Sequence, residues 1–184
     1  MRLDKLTTKF QEALSDAQSA ALGRDHAYIE PQHLLLALIQ QSDGGTASLI
    51  QRSGGNLAGL KRALEQSVAR LPKVEGTPGE VHVSRDVTTL LNVADKEAQK
   101  RGDEFLASEM FLLDACGDKG DTGRALKECG VAKSALEKAI EQVRGGQNVA
   151  SPEAEGAREA LKKYTLDVTE RARAGKLDPV IGRD

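Results

Sequence analysis

The amino-acid sequence contains an internal repeat, which aligns residues 10–36 with residues 87–113 without a gap. After a one-residue shift the alignment continues, with residues 50–66 against residues 126–142. Apolar residues recur in steps of four, three and four, at 10, 14, 17 and 21 and again at 87, 91, 94 and 98. That spacing is typical of one face of an α-helix. A duplicated unit of this kind folds as two helical copies packed together, because each copy covers apolar surface that the other cannot bury alone.

The periodicity predicts about four helices in each copy and no sheet. We therefore expect an all-α domain over residues 1–144, built from a duplicated four-helix repeat whose copies span about 6–70 and 84–144. Gly54 and Gly130 align with each other and are predicted to end the third helix of each copy.

The composition changes after the second copy. Residues 145–152 are small and polar, which predicts a flexible linker. Ser151 can cap a new helix whose first position is Pro152. We expect this helix to continue to about residue 174, and residues 153–184 to be the truncated start of a further domain.

Charge and composition exclude several classes of partner. The chain has 26 basic and 28 acidic residues, and only 3% of its residues are aromatic, which disfavours nucleic-acid binding. The longest apolar run, residues 34–39, is far too short to span a membrane. Two cysteines cannot form a disulfide framework. We expect a soluble, cytoplasmic protein that binds neither nucleic acid nor membranes.

Motifs for catalysis are missing from the sequence. Gly175-Lys176 lacks the preceding glycine and the following Ser or Thr that a phosphate-binding loop requires. The three histidines, at 26, 33 and 82, are not at metal-ligand spacing from one another or from a cysteine. Neither cysteine has an evident base to activate it. We expect no catalytic residue, no metal and no cofactor within this chain.

Differences between the two copies point to a binding surface. Asp16 aligns with Val93, and His33 aligns with Met110. If the two polar residues are exposed, Val93 and Met110 are exposed too and, with Leu90, form an apolar recognition surface. The alternative is that these three apolar residues are buried where the copies meet. The residues alone favour neither interpretation.

Several stretches of the sequence resemble the Clp family of AAA+ chaperones. Residues 1–7, 29–35 and 71–74 resemble its amino-terminal domain, and residues 160–169 and 175–184 resemble the entry into its first ATPase module. The run Tyr-Thr-Leu-Asp-Val-Thr at 164–169 favours the disaggregase branch over the protease-linked ClpA and ClpC branches. The resemblance covers essentially the whole chain.

The resemblance implies a function for the full-length parent. Disaggregases of this family are homo-hexameric machines that use ATP and Mg to extract polypeptides from aggregates, together with the DnaK chaperone system. Their amino-terminal domain is a mobile, tethered binder of unfolded or aggregated protein. The alternative, from the protease-linked branch, is a module that docks a folded adaptor. We expect the fragment itself to be monomeric.

The resemblance also implies site residues. The family's substrate groove is associated with polar positions that match Thr7, Asp103 and Glu109, beside apolar positions that match Leu90, Val93 and Met110. We expect a shallow exposed groove whose acidic residues favour substrates with Lys or Arg beside apolar residues. In the family, the segment that matches Asp178, Pro179, Val180 and Ile181 lies by the nucleotide base. No phosphate-binding loop follows it in this chain, so we expect the fragment neither to bind ATP nor to act as an enzyme.

Overall fold

In the computed structural model, which describes residues 3–74 and 80–158, helices at matching positions form both copies of the repeat. After a 3-10 turn at Leu3–Lys5, the first copy has α1 (Thr8–Gly23), α2 (Pro31–Gln40), α3 (Thr46–Arg52) and α4 (Leu57–Ala69). The second copy has α5 (Arg85–Lys100), α6 (Ser108–Ala115), α7 (Asp121–Glu128) and α8 (Lys133–Arg144). The prediction of an all-α fold with four helices per copy is confirmed.

The first helix of each copy begins in the same way. Thr7 caps α1 by accepting a hydrogen bond from the Phe10 amide at 3.3 Å, and Ser84 caps α5 by accepting one from the Val87 amide at 3.2 Å. A hydroxyl at this position satisfies an amide that has no partner within the helix. Thr7 and Ser84 occupy aligned positions of the two copies, so the repeat extends to the helix ends.

The two copies are joined by short parallel pairings between segments that precede helices. β1 (Tyr28–Ile29), before α2, pairs with β2 (His82–Val83), before α5. Leu6, before α1, pairs with Leu106, before α6. When the two copies are aligned, the two pairings occupy equivalent positions. The same contact is therefore made twice, with the roles of the copies exchanged. The copies are therefore related by an approximate two-fold arrangement.

Among the described residues, one apolar core lies between the copies. The rings of Phe10 in α1 and Phe111 in α6 are 5.8 Å apart between centroids, and both side chains are fully buried. Leu34 and Leu35 in α2 and Leu112 in α6 are buried with them. Burying each of these large side chains stabilises the fold by about 1.5–3 kcal/mol, which one copy alone could not obtain.

The glycines predicted to end the third helices do so. Gly54 follows α3 with φ of 89°, and Gly130 follows α7 with φ of 81°. Both values lie in the left-handed region, where a residue without a Cβ atom is favoured.

The segment after α8 differs from the predicted flexible linker, because it lies on the domain. Val149 is buried and accepts a hydrogen bond from the Glu104 amide at 2.8 Å. The Thr8 amide donates to the Pro152 carbonyl at 2.8 Å. Residues 154–158 are helical, which agrees with the predicted helix, and the remainder of that helix lies outside the described residues. These long-range hydrogen bonds are not visible in a local composition of small and polar residues.

Candidate functional site

The fold brings the three polar residues of the predicted groove together. Thr7 is the residue before α1, Asp103 lies between α5 and α6, and Glu109 is in the first turn of α6. The pairing of Leu6 with Leu106 places the start of α1 beside the start of α6. All three residues are buried, and not open to solvent as predicted.

Arg144, the last residue of α8, joins two of these residues. Its Nε donates to Glu109 Oε2 at 2.9 Å, and its Nη1 donates to Asp103 Oδ1 at 3.0 Å. The Arg144 side chain is only 7% exposed. Transferring a charged side chain from water into the protein interior costs free energy. Here that cost is offset because two carboxylates accept hydrogen bonds from the same guanidinium.

A second arginine reaches the same carboxylate from the segment after α8. Arg158 Nη2 donates to both oxygens of Glu109, at 3.1 and 3.0 Å. Glu109 is therefore held between an arginine of the domain and an arginine of the following segment. Burial alone would raise the pKa of Glu109, but the charges and hydrogen bonds of Arg158 and Arg144 together outweigh burial and hold it below its usual value.

Glu155 connects this segment to Thr7. Its carboxylate accepts hydrogen bonds from the Thr7 hydroxyl, from the Ser108 amide at 2.9 Å and from the Ser108 hydroxyl at 3.1 Å. Ser108 is the first residue of α6, where a free amide and the helix dipole both favour a negative charge. Burial and the neighbouring charge of Glu109 nevertheless raise the pKa of Glu155. We refer to Asp103, Glu109, Arg144, Glu155 and Arg158 as the charged cluster.

The main chain of Val149 completes the contact between the segment and the domain. Its amide donates to Asp103 Oδ1 at 3.0 Å, and its carbonyl accepts from the Glu104 and Phe105 amides at 2.8 and 3.3 Å. Both polar groups of this residue are thus satisfied by the α5–α6 connection while its side chain is buried. This connection can therefore bind one residue of non-helical polypeptide through the main chain.

Met110 is fully buried, so the exposure predicted for it is wrong. That prediction assumed that the equivalent His33 is exposed, but His33 is buried as well. His33 can be buried because the Glu30 amide donates to its Nδ1 at 2.9 Å and its Nε2 lies 2.9 Å from His26 Nδ1. The equivalence of the two positions holds, but both lie in the interior.

Val93 is half exposed, as predicted, and Leu90 is partly buried against the core. The side of α5 next to Asp103 is formed instead by Asp95 and Gln99, which line an open cleft of about 730 Å³. Val93 is two residues from Asp95, which places it about 200° around the helix axis. The predicted groove is therefore divided into a buried polar part and an exposed apolar part on another face of α5.

Sequence reasoning did not identify Ser108, Arg144, Glu155 or Arg158. A signal for Arg144 was present, because it aligns with the buried Val68 of the first copy, and an arginine at a core position needs buried partners. No comparable signal exists for Glu155 and Arg158, which lie beyond the repeat.

The nucleotide-side residues implied by the resemblance, Asp178, Pro179, Val180 and Ile181, lie outside the described residues. Across residues 3–74 and 80–158, no group of three or more His, Cys, Asp or Glu side chains is arranged to hold a metal ion. Within the same ranges, no helix has the length and apolar character needed to cross a membrane.

The family of the chain follows from its sequence. The family model of the Clp repeat (R) N-terminal domain matches residues 5–129, which include helices α1 to α7. The chain belongs to this family.

Relatives narrow the identification. The chain is 51% identical over all of its 184 residues to the chaperone protein ClpB of Vibrio cholerae serotype O1, of which it spans 22%. This similarity favours a ClpB-type amino-terminal domain over the ClpA or ClpC alternative. The chain therefore corresponds to about a fifth of the length of the curated relative.

Solved structures show the same fold. The Hsp104 N-terminal domain from Candida albicans superposes with a TM-score of 0.71 at 22% identity, over 82% of this chain and 99% of that one. A complex of the ClpV N-domain with a VipB peptide gives a TM-score of 0.62 at 18% identity, over 78% of this chain and 89% of that one. At these identities the likeness concerns the fold alone.

Proposed function

We propose that this domain binds segments of unfolded or aggregated polypeptides on behalf of a ClpB-type disaggregase. The observation that carries the proposal is the binding of Val149 by the α5–α6 connection. That connection already holds a non-helical residue by its main chain, with the Asp103 carboxylate accepting from its amide, and its side chain is buried. Main-chain recognition is what a binder of many unrelated sequences requires, because every polypeptide offers the same amide and carbonyl groups.

The polar part of the proposed site consists of Thr7, Asp103 and Glu109. A substrate carrying Lys or Arg would find complementary charge at the two acidic residues. The apolar part consists of Val93 with the adjacent Leu90, which would contact exposed aliphatic side chains of the same substrate. Met110 belongs to the core and is not part of the proposed surface.

The partners of the parent protein form part of the same proposal. A single domain with a small apolar contact binds weakly, and six copies in a homo-hexamer would restore affinity through effective concentration. We propose that the parent supplies this ring, uses ATP and Mg, works in the cytoplasm with the DnaK system and receives the polypeptide that the domain has bound.

The apolar part is tested by Val93→Gln, with binding of a fluorescent, permanently unfolded protein (reduced and carboxymethylated α-lactalbumin) measured by anisotropy. Loss of one aliphatic contact of about 1–1.5 kcal/mol weakens binding about five- to tenfold. Because Val93 is half exposed, the melting temperature is expected to change little.

Val74→Gln is the matched control, since Val74 is another exposed valine, 40% accessible, and lies after α4. It is expected to bind the unfolded protein as the unaltered chain does. Equal weakening by both substitutions would indicate non-specific adhesion and contradict the proposal. Failure of the chain to bind the unfolded protein, together with capture of one folded partner at 1:1 stoichiometry, would support adaptor docking.

A further inference from the structure

The polar part of the proposed site is already occupied by a segment of the same chain. Residues 149–158 contribute the Val149 main chain to Asp103, the Glu155 carboxylate to Thr7 and Ser108, and the Arg158 guanidinium to Glu109. Each polar residue of the site therefore has its partner in this segment. We call residues 149–158 the strap.

We propose that the strap is a built-in competitor, which must leave the polar site before an external polypeptide can enter it. A substrate then takes over the same contacts. Its main chain replaces that of Val149 at the α5–α6 connection, and a Lys or Arg side chain replaces Arg158 at Glu109. This inference rests on the proposed function and adds the regulation of the site and the chemistry of its preferred ligand, an aliphatic residue accompanied by a basic one.

The docked strap leaves one buried polar group of the domain unsatisfied, which favours its release. Arg144 Nη2 is buried without a hydrogen-bond partner among the described residues. Arg144 also lines an open cleft of about 350 Å³ together with Val149, Ala154 and Arg158 of the strap. An unsatisfied buried donor reduces the gain from docking.

The electrostatics of the strap also favour an equilibrium that substrate can shift. Glu155 is buried close to Glu109, and burial together with that like charge raises its pKa, so the ionised form is disfavoured in the docked position. The Arg158 side chain is 23% exposed, so water can take over its hydrogen bonds to Glu109. Buried ion pairs of this kind add specificity of position more than net stability.

The test compares the unaltered 184-residue chain with the double variant Glu155→Ala and Arg158→Ala. Neither residue belongs to the proposed binding surface, and Arg144 still pairs with Asp103 and Glu109 in the variant. A strap docked nine-tenths of the time lowers the apparent affinity about tenfold, so the variant is expected to bind carboxymethylated α-lactalbumin about tenfold more tightly. Lys138→Ala with Glu141→Ala is the control, since it removes one charge of each sign from exposed positions of α8.

Release of the strap is measured on the same samples by hydrogen exchange at the Ser108 and Val149 amides, which the strap contacts protect. We expect both amides to exchange faster in the double variant than in the control. Continued protection, or release without tighter binding, overturns the strap proposal.

A peptide of residues 147–158 added in trans gives an independent measurement. It is expected to compete with the unfolded protein for the double variant, and the same peptide with Arg158→Ala and Glu155→Ala is expected to compete poorly. If the unaltered chain binds the unfolded protein through Val93 but the double variant binds it no more tightly, the strap proposal fails and the proposed function stands. If neither chain binds the unfolded protein, both proposals fail.

Discussion

His26 in the first copy and Asp103 in the second occupy equivalent positions, but they are stabilised by different chemistry. His26 lies 2.9 Å from His33, and both histidines are buried. In the second copy Met110 replaces His33, so this pairing is impossible. Asp103 is paired instead with Arg144, which takes the place of Val68. The residue changes at these three pairs of aligned positions therefore compensate for one another.

A neighbouring pair of aligned positions also differs in charge between the two copies. Gln32 of the first copy donates to the Ser67 hydroxyl at 3.0 Å, while the equivalent Glu109 accepts from two arginines. The first copy is therefore neutral at this interior position, and the second is ionic. A carboxylate has more lone pairs to satisfy than a neutral amide. In the second copy, Arg158 and the Val149 amide of the strap donate hydrogen bonds to these carboxylates. These differences explain why the two acidic residues of the candidate site lie on the second copy.

The largest expected effect comes from removing the centre of the ionic copy with Arg144→Met. Asp103 would lose its only arginine among the described contacts, and Glu109 would lose one of two. Breaking a buried ion pair on one side costs about 3–5 kcal/mol. The loss is measured as the change in free energy of unfolding from urea denaturation at pH 7.

Arg124→Met is the control for this measurement. Arg124 Nη1 lies 3.1 Å from Asp121 Oδ1, but the arginine side chain is 63% exposed. Surface pairs of this kind contribute about 0–1 kcal/mol. Equal losses for the two arginines would refute the distinction between a buried ionic copy and ordinary surface charge.

The neutral copy is tested by acid. Burial, followed by the charges of His26 and Arg24, lowers the pKa of His33 to about 4. The unfolded chain binds this proton near pH 6.5, so the stabilisation from neutral His33 is present above that pH and is lost as the pH falls towards 4. In His33→Gln, the loss of unfolding free energy between pH 7 and 4.5 is expected to be smaller by about 2–3 kcal/mol.

His82→Gln is the matched control, because the His82 side chain is 67% exposed and lies 3.4 Å from the exposed carboxylate of Glu80. It is expected to lose stability in acid as the unaltered chain does. If His33→Gln and the unaltered chain lose the same amount, the buried histidine pair does not account for the acid sensitivity of the first copy.

The helices of both copies could be predicted from the sequence because their signal is local. A four-three-four spacing recurs at aligned positions of the two copies, and α1 and α5 begin at the aligned residues Thr8 and Arg85. The pairing of β1 with β2 could not be predicted, since two residues are too few to show an alternating pattern.

The site was predicted only in part, because its contacts are distant in the chain. The resemblance named Thr7, Asp103 and Glu109, but nothing near them in sequence indicates Glu155 or Arg158. The exposure of Met110 was predicted wrongly because a polar residue in the aligned position was taken as evidence of solvent. A polar side chain with its own partners, such as His33, can occupy the core.

The smallest expected effect concerns Asp114, which takes the place of the buried Ala37 of the first copy. Asp114 is partly buried, and its Oδ2 is buried without a hydrogen-bond partner among the described residues. Burial raises its pKa to about 6, above the ordinary 3.8. Ionisation therefore costs the folded state free energy as the pH rises from about 4 through 6.

Asp114→Asn removes this ionisation while keeping the shape of the side chain. Because water screens a partly exposed group, we expect a gain of about 1 kcal/mol at pH 8, and almost none at pH 4, where the carboxyl of the unaltered protein is protonated. Thermal melting at the two pH values measures the difference. Asp16→Asn, on an exposed position of α1, is expected to change stability by less than about 0.5 kcal/mol at either pH. A cost that comes from charge disappears when the carboxyl is protonated. If the gain at pH 8 persists at pH 4, the stability cost of Asp114 at the position of Ala37 therefore comes from packing and not from charge.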